Sequence, residues 1–518
     1  MHRITILWKA NVIVFIASFC VMVIELIAAR ILAPFIGVSL FTWTSIIGVI
    51  LTGIALGNYL GGKIADKYPT PLLLVAMLLA GGLLTVVILP AVRIVTSIDW
   101  FGNLPVMLNI TLETSAIFFL PAIVLSMVSP LVIKLTLADL GQTGGIVGTI
   151  YAVSTAGAIL GTFMTGFFFI LWFGTRMIVW LVAAVLFLTG IITWFSWRVP
   201  DRWIFTLKNI ITWLVMIGIV MTFAFLFQLR ETRQDGYTRE TNYYTIQVFP
   251  HSVGDDNVKV LYLDRLLQSY TDSNDPTVLI YDYLKIFEEI VAYITRENQA
   301  PRILHLGGGG YTFPRYMEYV YQQSVNEVVE IDPAVTEVVY QELGLPLATS
   351  VKTYNQDARL FLIERKMRDK YDIVIGDVFN DRSTPYHLTT LEFDRLVKAN
   401  LKDDGIYMVN IVDDYEHGRY LPSFLHTLRQ AFHNVYLLDT GNIAGQREIS
   451  TFVIVATERS IDIGDYTRFV TQNRAKPMAG TPYNETQLAT YMSDKKPILL
   501  TDDYAPTDIL VAPLMDKE

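Results

Sequence analysis

Residues 302–332 read RILHLGGGGYTFPRYMEYVYQQSVNEVVEID, and the order of residue types in this stretch decides the fold. A strand-like run, 302–306, enters four adjacent glycines, Gly307, Gly308, Gly309 and Gly310. A helix-like stretch, 311–323, follows, and a second strand-like run, 327–331, ends at Asp332. Strand, glycine loop, helix, strand is the opening unit of a doubly wound α/β sheet, in which ligands sit at the carboxyl ends of the strands. Glycines let a ligand approach the backbone, and the next helix offers free amides. The spacing is not the G-x-G-x-x-G of a dinucleotide loop. A carboxylate at Glu330, closing the second strand, can accept both hydroxyls of a ribose.

Outward from this unit the alternation continues. Helix 334–343 leads to strand 351–354, which is followed by Asp357 and a helix to about residue 368. Strand 371–375 ends at Asp377, and helix 391–400 precedes strand 406–411. We read a Rossmann-like domain of the class I methyltransferase type, its glycine loop facing the amino-acid part of a nucleoside ligand. Asp357 is positioned to accept from an adenine amino group. Upstream, YYTIQVF (243–249), VKVLYLD (258–264) and LLQSY (266–270) alternate as short strands. They make a small β-domain over 241–283, joined through helix 284–295 to the Rossmann-like domain, 284–518. Residues 230–240 read as a charged junction.

The first 230 residues are of a different kind. Apolar stretches at 12–31, 40–60, 72–92, 117–137, 146–172, 178–197 and 204–229 each approach the roughly 20 residues needed to cross a bilayer. About seven transmembrane helices are expected, forming an α-helical bundle. The first contains Glu25 and runs on into further spans, unlike a cleaved signal. Gly57 with Gly61, and Gly157 with Gly161, have the four-residue spacing that lets helices approach closely. Glu25, Arg30 and Glu113 are the ionisable residues that invite a functional reading.

Mean hydropathy is +0.41, yet 17% of residues are charged, as expected of an apolar half joined to an ordinary globular half. A net charge of −9 and a pI of about 5.4 give no basic face for nucleic acid. One cysteine, Cys20, in an apolar run, makes no intrachain disulfide and no cysteine zinc site; no metal site is expected. Lys and Arg beside the span ends mildly favour an orientation that, with seven spans, puts the C-terminal domain outside. A nucleoside substrate argues for the cytoplasm, and we weight the chemistry above the charge bias.

VVEID (328–332), QDAR (356–359), YDIVIGDVF (371–379) and PYHLTTLEF (385–393), with the glycine run, resemble the spermidine/spermine synthase family, and LDRLLQS (263–269) resembles its glutamine-bearing strand. ELIAAR…GGKIAD (25–66) and LLTDDYAPTD (499–508) resemble members fused to a membrane region. The resemblance implies a transferase that moves an aminopropyl group from decarboxylated S-adenosylmethionine, a co-substrate, to a polyamine such as putrescine, with no prosthetic group. It implies Asp377 as the catalytic carboxylate and Gln268 beside the donor. Tyr281, Asn380 and Asp381 fall at amine-binding positions. It also implies a multi-pass cell-membrane protein in contact with lipid, and a homodimer formed through the β-domain.

The departures from the family pattern lie around the donor and acceptor amines. Gly310, followed by Tyr311, stands where the family carries an aspartate that meets the donor's amine. Asn380 replaces a second aspartate after Asp377. Tyr281-Asp282-Tyr283 replaces Tyr-His-Glu. Asp264, Asp282, Asp381, Asp502 and Asp503 are the acids available to compensate. These departures keep two other readings open: methyl transfer from S-adenosylmethionine, and a transporter or sensor whose soluble domain binds a nucleoside or polyamine.

Overall fold

The structure is a computed structural model describing residues 2–97, 104–137, 143–197, 222, 236–254, 256–297, 300–365, 370–379, 384–440, 449–473 and 477–515. The chain divides into two compact units, Met1–Gln234 and Asp235–Glu518.

Among the described residues of the first unit, five helical stretches are long and apolar enough to cross a membrane: Ile6–Ile36, Leu40–Lys67, Pro71–Ser97, Met107–Thr136 and Thr143–Ser196. The fifth, 54 residues long, is two helical runs, because Gly174 leaves helical geometry (φ 64°, ψ 160°). The spans read at 146–172 and 178–197 lie on either side of that kink. The span expected at 204–229 falls outside the described residues except for residue 222. The helices meet through glycine. A Cβ at Gly157 would fall on the carbonyl oxygen of Phe15, and one at Gly161 on that of Phe19, so the helix Thr143–Met164 lies backbone-close to His2–Ile36. Ser18 and Ser154 bond at 2.7 Å across the same seam. Large apolar side chains point outward, Trp172 at 68% and Phe195 at 79% exposure. Single π-helical turns interrupt two of the stretches, at Ser115–Phe119 and Thr165–Phe169.

The second unit opens with a four-stranded antiparallel sheet: β1 (Tyr237–Glu240), β2 (Thr245–Val253), β3 (Asp256–Leu263) and β4 (Leu266–Thr271). β1 lies within the stretch read as a charged junction. Arg239 and Glu240 are both half-buried there, and backbone pairing with β2 overrides their polarity. The pairing of β3 with β4 slips between Leu261 and Tyr262, so that Ser269 faces Leu261, Leu267 faces Tyr262, and Gln268 is the extra residue of a bulge.

The main sheet has eight strands in the order β12-β10-β11-β9-β8-β5-β6-β7. They are β5 (Arg302–Leu306), β6 (Val325–Val329), β7 (Lys352–Tyr354), β8 (Tyr371–Gly376), β9 (Leu401–Asp414), β10 (Asn434–Asp439), β11 (Ile449–Thr457) and β12 (Thr481–Pro482). β5 to β9 are parallel, whereas β11 runs antiparallel to both β9 and β10. This is the Rossmann-like, methyltransferase-type arrangement, with the strand order reversing beside β5. The sheet is therefore not wholly parallel. Its antiparallel edge lies beyond residue 411, where the reading of alternating strands and helices stopped.

Apolar side chains pack on both faces of the sheet: Phe361, Phe393, Tyr407, Phe424 and Phe452 in one cluster, Phe287, Ile303, Phe313, Ile375 and Met408 in the other. The two acids of β6 have separate tasks. Glu327, 1% exposed, accepts from Arg302 (3.0 Å), Tyr371 (2.8 Å), Tyr354 (2.9 Å) and Arg365. Burial alone would push its carboxyl up, but these four donors outweigh it and hold it below the usual range. Glu327 thus cross-ties the sheet, and Glu330, just past the end of β6, is left to the glycine loop.

Candidate active site

Gly307 and Gly309 have positive φ, 89° and 47°, and a Cβ at Gly307 would collide with the carbonyl oxygen of Asp377. The loop after β5 is therefore pressed against the end of β8, which brings the glycines and Asp377 together. Tyr311, fully buried at φ 53°, ends the loop and starts the helix Thr312–Val320. Its hydroxyl bonds Thr336 (3.0 Å) and Thr353 (3.2 Å), pinning the loop into the core between β6 and the small sheet.

Glu330 is 6% exposed. One of its oxygens accepts from the amides of Gly308 (2.9 Å) and Gly309 (3.4 Å), and the other from Asp332 (3.0 Å). Burial raises its carboxyl above the ordinary value despite these amides. Asp357 places one oxygen on the amides of Arg359 (2.9 Å) and Leu360 (3.0 Å), capping the helix Ala358–Arg365. Its second oxygen meets His387 Nε2 at 2.9 Å. Partial burial pushes Asp357 up, but the amides together with His387 leave it below the usual carboxylate range.

Asp377 is held on both sides. Tyr283 donates its hydroxyl to Oδ2 at 3.0 Å, and Asn410 Nδ2 donates to Oδ1 at 3.0 Å. Burial raises this carboxyl, with the two donors acting in the opposite direction. A carboxylate of raised affinity for protons, fixed by two donors, suits a general base. The side-chain oxygen of Asn410, Oδ1, in a residue 5% exposed, has no hydrogen-bond partner among the described residues.

Tyr281 stands one residue before the helix Asp282–Ile294, and its ring packs on Tyr283 (5.4 Å between centroids) and on Tyr270 of β4 (5.1 Å). Its hydroxyl donates to the carbonyl of Leu267, next to the bulged Gln268. Gly310 abuts β4: a Cβ there would fall on Ser269 Oγ and press on Thr271 Oγ1. The space that an aspartate would need at 310 is filled by two hydroxyls. Asn380 and Asp381 fall outside the described residues. Of the compensating acids, Asp282 turns to Lys285 (2.8 Å), Asp264 accepts the Thr245 amide (2.9 Å) and Asp502 pairs with Arg359.

Three functional neighbours escaped the sequence reading. Tyr283 and His387 come from loop and helix segments far from their partners in sequence. Asn410 did carry a signal, as the one amide in the otherwise apolar run 406–411 of β9.

Residues 288–458 match the spermine/spermidine synthase domain. The chain is 25% identical over 248 residues to a polyamine aminopropyltransferase of Vibrio vulnificus, covering 46% of this chain and 79% of the relative. It is 25% identical over 238 residues to a probable polyamine aminopropyl transferase of Bifidobacterium longum, covering 42% of this chain and 51% of the relative. Among solved structures, a probable spermidine synthase of Corynebacterium glutamicum aligns with a TM-score of 0.45 and 22% identity, covering 51% of this chain and 95% of that one. The C-terminal unit is a Rossmann-like transferase domain. Over residues 288–458 it is similar to the spermine/spermidine synthase domain.

Proposed function

We propose that the chain is a membrane-embedded aminopropyltransferase that uses decarboxylated S-adenosylmethionine and a polyamine-type amine. The carrying observation is Asp377, at the end of β8, held by Tyr283 and Asn410 and touching the glycine loop. In this reading Gly307–Gly310 and Glu330 cradle the nucleoside, Asp357 faces its base, Gln268 lines the donor, and Tyr281 orients the amine. Asn380 and Asp381 complete the amine site. The amine nitrogen attacks the propyl carbon next to the sulfonium. That carbon–sulfur bond breaks, its electron pair neutralises the sulfur as methylthioadenosine, and the proton lost from nitrogen passes to Asp377. The displacement calls for no metal.

The outward apolar side chains and the glycine-sealed helix contacts of residues 1–230 support seven spans in a cell membrane, with the catalytic part, 241–518, in the cytoplasm. A homodimer through the small sheet completes the proposal. Methyl transfer is the second reading, favoured by the absence of an acid at Gly310 that would select the decarboxylated donor's amine.

The test is a product assay on full-length protein in detergent, with either donor and a set of amines, read by mass spectrometry. Methylthioadenosine with an aminopropylated amine supports the proposal. S-Adenosylhomocysteine would move the chain to methyl transfer. Nucleoside binding without either product would leave a sensor or transporter.

A further inference from the structure

Arg315, on the first turn of the helix Thr312–Val320, is 5% exposed and makes no ion pair among the described residues. Its guanidinium donates instead to three backbone carbonyls: Nη1 to Asp272 (3.1 Å) and Leu343 (2.9 Å), Nη2 to Ser273 (3.4 Å). Burying a cation on neutral partners is unfavourable, and an apolar side chain would fill the same space without that penalty. What the guanidinium supplies is position. It holds two segments far apart in sequence, 272–273 and 343, at one point against the helix.

That point is secured twice more. Ser273 Oγ donates to the carbonyl of Glu342 at 3.2 Å, and Gly344, at φ 77°, lies so close to the Ser273 carbonyl oxygen that a Cβ would strike it. Asp272 and Ser273 open the connection 272–281 between β4 and the helix Asp282–Ile294. Along it, Asp272 accepts the amides of Asn274 (2.8 Å) and Asp275 (3.1 Å), and Asp275 accepts that of Thr277 (2.8 Å), so the connection is braced turn by turn. Its far end is Tyr281, which precedes the helix and takes its place from the connection, whereas Tyr283 lies inside the helix and is fixed by it. The glycine loop has a separate anchor, the Tyr311 hydroxyl on Thr336 and Thr353.

We propose that Arg315 is a positioning residue of the acceptor site: by fixing the start of 272–281 it sets the place of Tyr281 and with it the affinity for the amine, while the donor loop keeps its own seat through Tyr311. This rests on the transfer reading above and adds to it a residue that touches neither substrate.

The experiment uses full-length protein in detergent with decarboxylated S-adenosylmethionine and putrescine, cadaverine or spermidine as acceptor. For the acceptor that the unchanged protein uses, Arg315→Met should raise the amine KM about tenfold, with kcat within about threefold and calorimetric affinity for methylthioadenosine within about twofold of the unchanged values. Arg315→Lys, which returns a donor to the carbonyls, should recover part of the loss. Gly344→Ala, which pushes on Ser273 without touching the guanidinium, should raise the same KM, and with Arg315→Lys it carries the test where Arg315→Met yields no folded protein. An amine KM unmoved in these variants, with only the melting temperature lowered, would overturn the inference while leaving aminopropyl transfer standing. So would a fall in methylthioadenosine affinity as large as the rise in amine KM. Failure of the unchanged protein to aminopropylate any of the three amines would overturn the transfer reading itself, and the inference with it.

Discussion

The guanidinium of Arg359 grips both carboxylate oxygens of Asp502, at 2.7 and 2.5 Å, across 143 residues of chain. The same guanidinium donates to the carbonyl of His387 at 3.0 Å, and His387 in turn holds Asp357. Thr390 donates to Asp502 at 2.7 Å, and the Asp502 amide returns to Glu392 at 3.0 Å. The TDDYAPTD segment is thereby tied to Asp357, the residue proposed above to face the nucleobase.

Asp502→Asn keeps the shape and removes the charge that organises Arg359. The pair is partly exposed, 21% and 42%, so its contribution to stability is about 1 kcal/mol or less. Binding should suffer more than folding. We expect methylthioadenosine to bind about fivefold more weakly by calorimetry, while the melting temperature moves little.

Asp377→Asn should leave nucleoside affinity and the melting temperature near those of the unchanged protein and lower kcat by about a thousandfold, within the range of general-base removal. Because burial raises the carboxyl, the unchanged enzyme should lose rate as pH falls, beginning above the ordinary carboxylate range. The variant's residual rate should lack that acidic limb.

Glu289 is 1% exposed, accepts the Ala479 amide at 2.7 Å and meets the Tyr466 hydroxyl at 3.4 Å; burial pushes its carboxyl up to about 7. A folded-state value above the unfolded one means the folded state binds the extra proton. Its stability contribution is then fully present below about pH 4.5 and is lost as pH rises to about 7, to the extent of about 3 kcal/mol. Glu289→Gln should flatten the decline in stability between pH 5 and 8. Melting scans in detergent at both pH values read the slope.

Gly157→Val should sharply lower the yield of folded protein, because its Cβ falls on the Phe15 backbone, which has no room to yield. Gly148→Ala on the same helix meets open space and should be neutral. Monodispersity by size-exclusion chromatography distinguishes the two.

What could be read from the sequence was what depends on neighbours in the chain. The glycine run followed by an acid at the next strand end located β5, β6 and the loop between them, and helix 391–400 is found at those same residues. Tyr283 with Asp377, 94 residues apart, could not be read, because only the fold makes them neighbours. The reversal of β11 was invisible for a related reason. An apolar run such as STFVIVAT suits a buried strand of either direction, and its partners decide. Asp282, one of the five acids named as available to compensate, lies one turn of helix from Lys285, a partner that its place in the motif does not announce.

The contact between Gly310 and Ser269 couples two positions that look independent in the sequence. An acid introduced at 310 alone collides with β4. A smaller residue at 269 alone opens a gap beside the glycine loop and gives nothing back. Room for a carboxylate at 310 needs changes on β4 at the same time, at Ser269 and at Thr271, whose hydroxyl also presses on the position. The conformation of the glycine loop and the side chains of β4 are thus set jointly, and neither strand nor loop can be redesigned at this contact without the other.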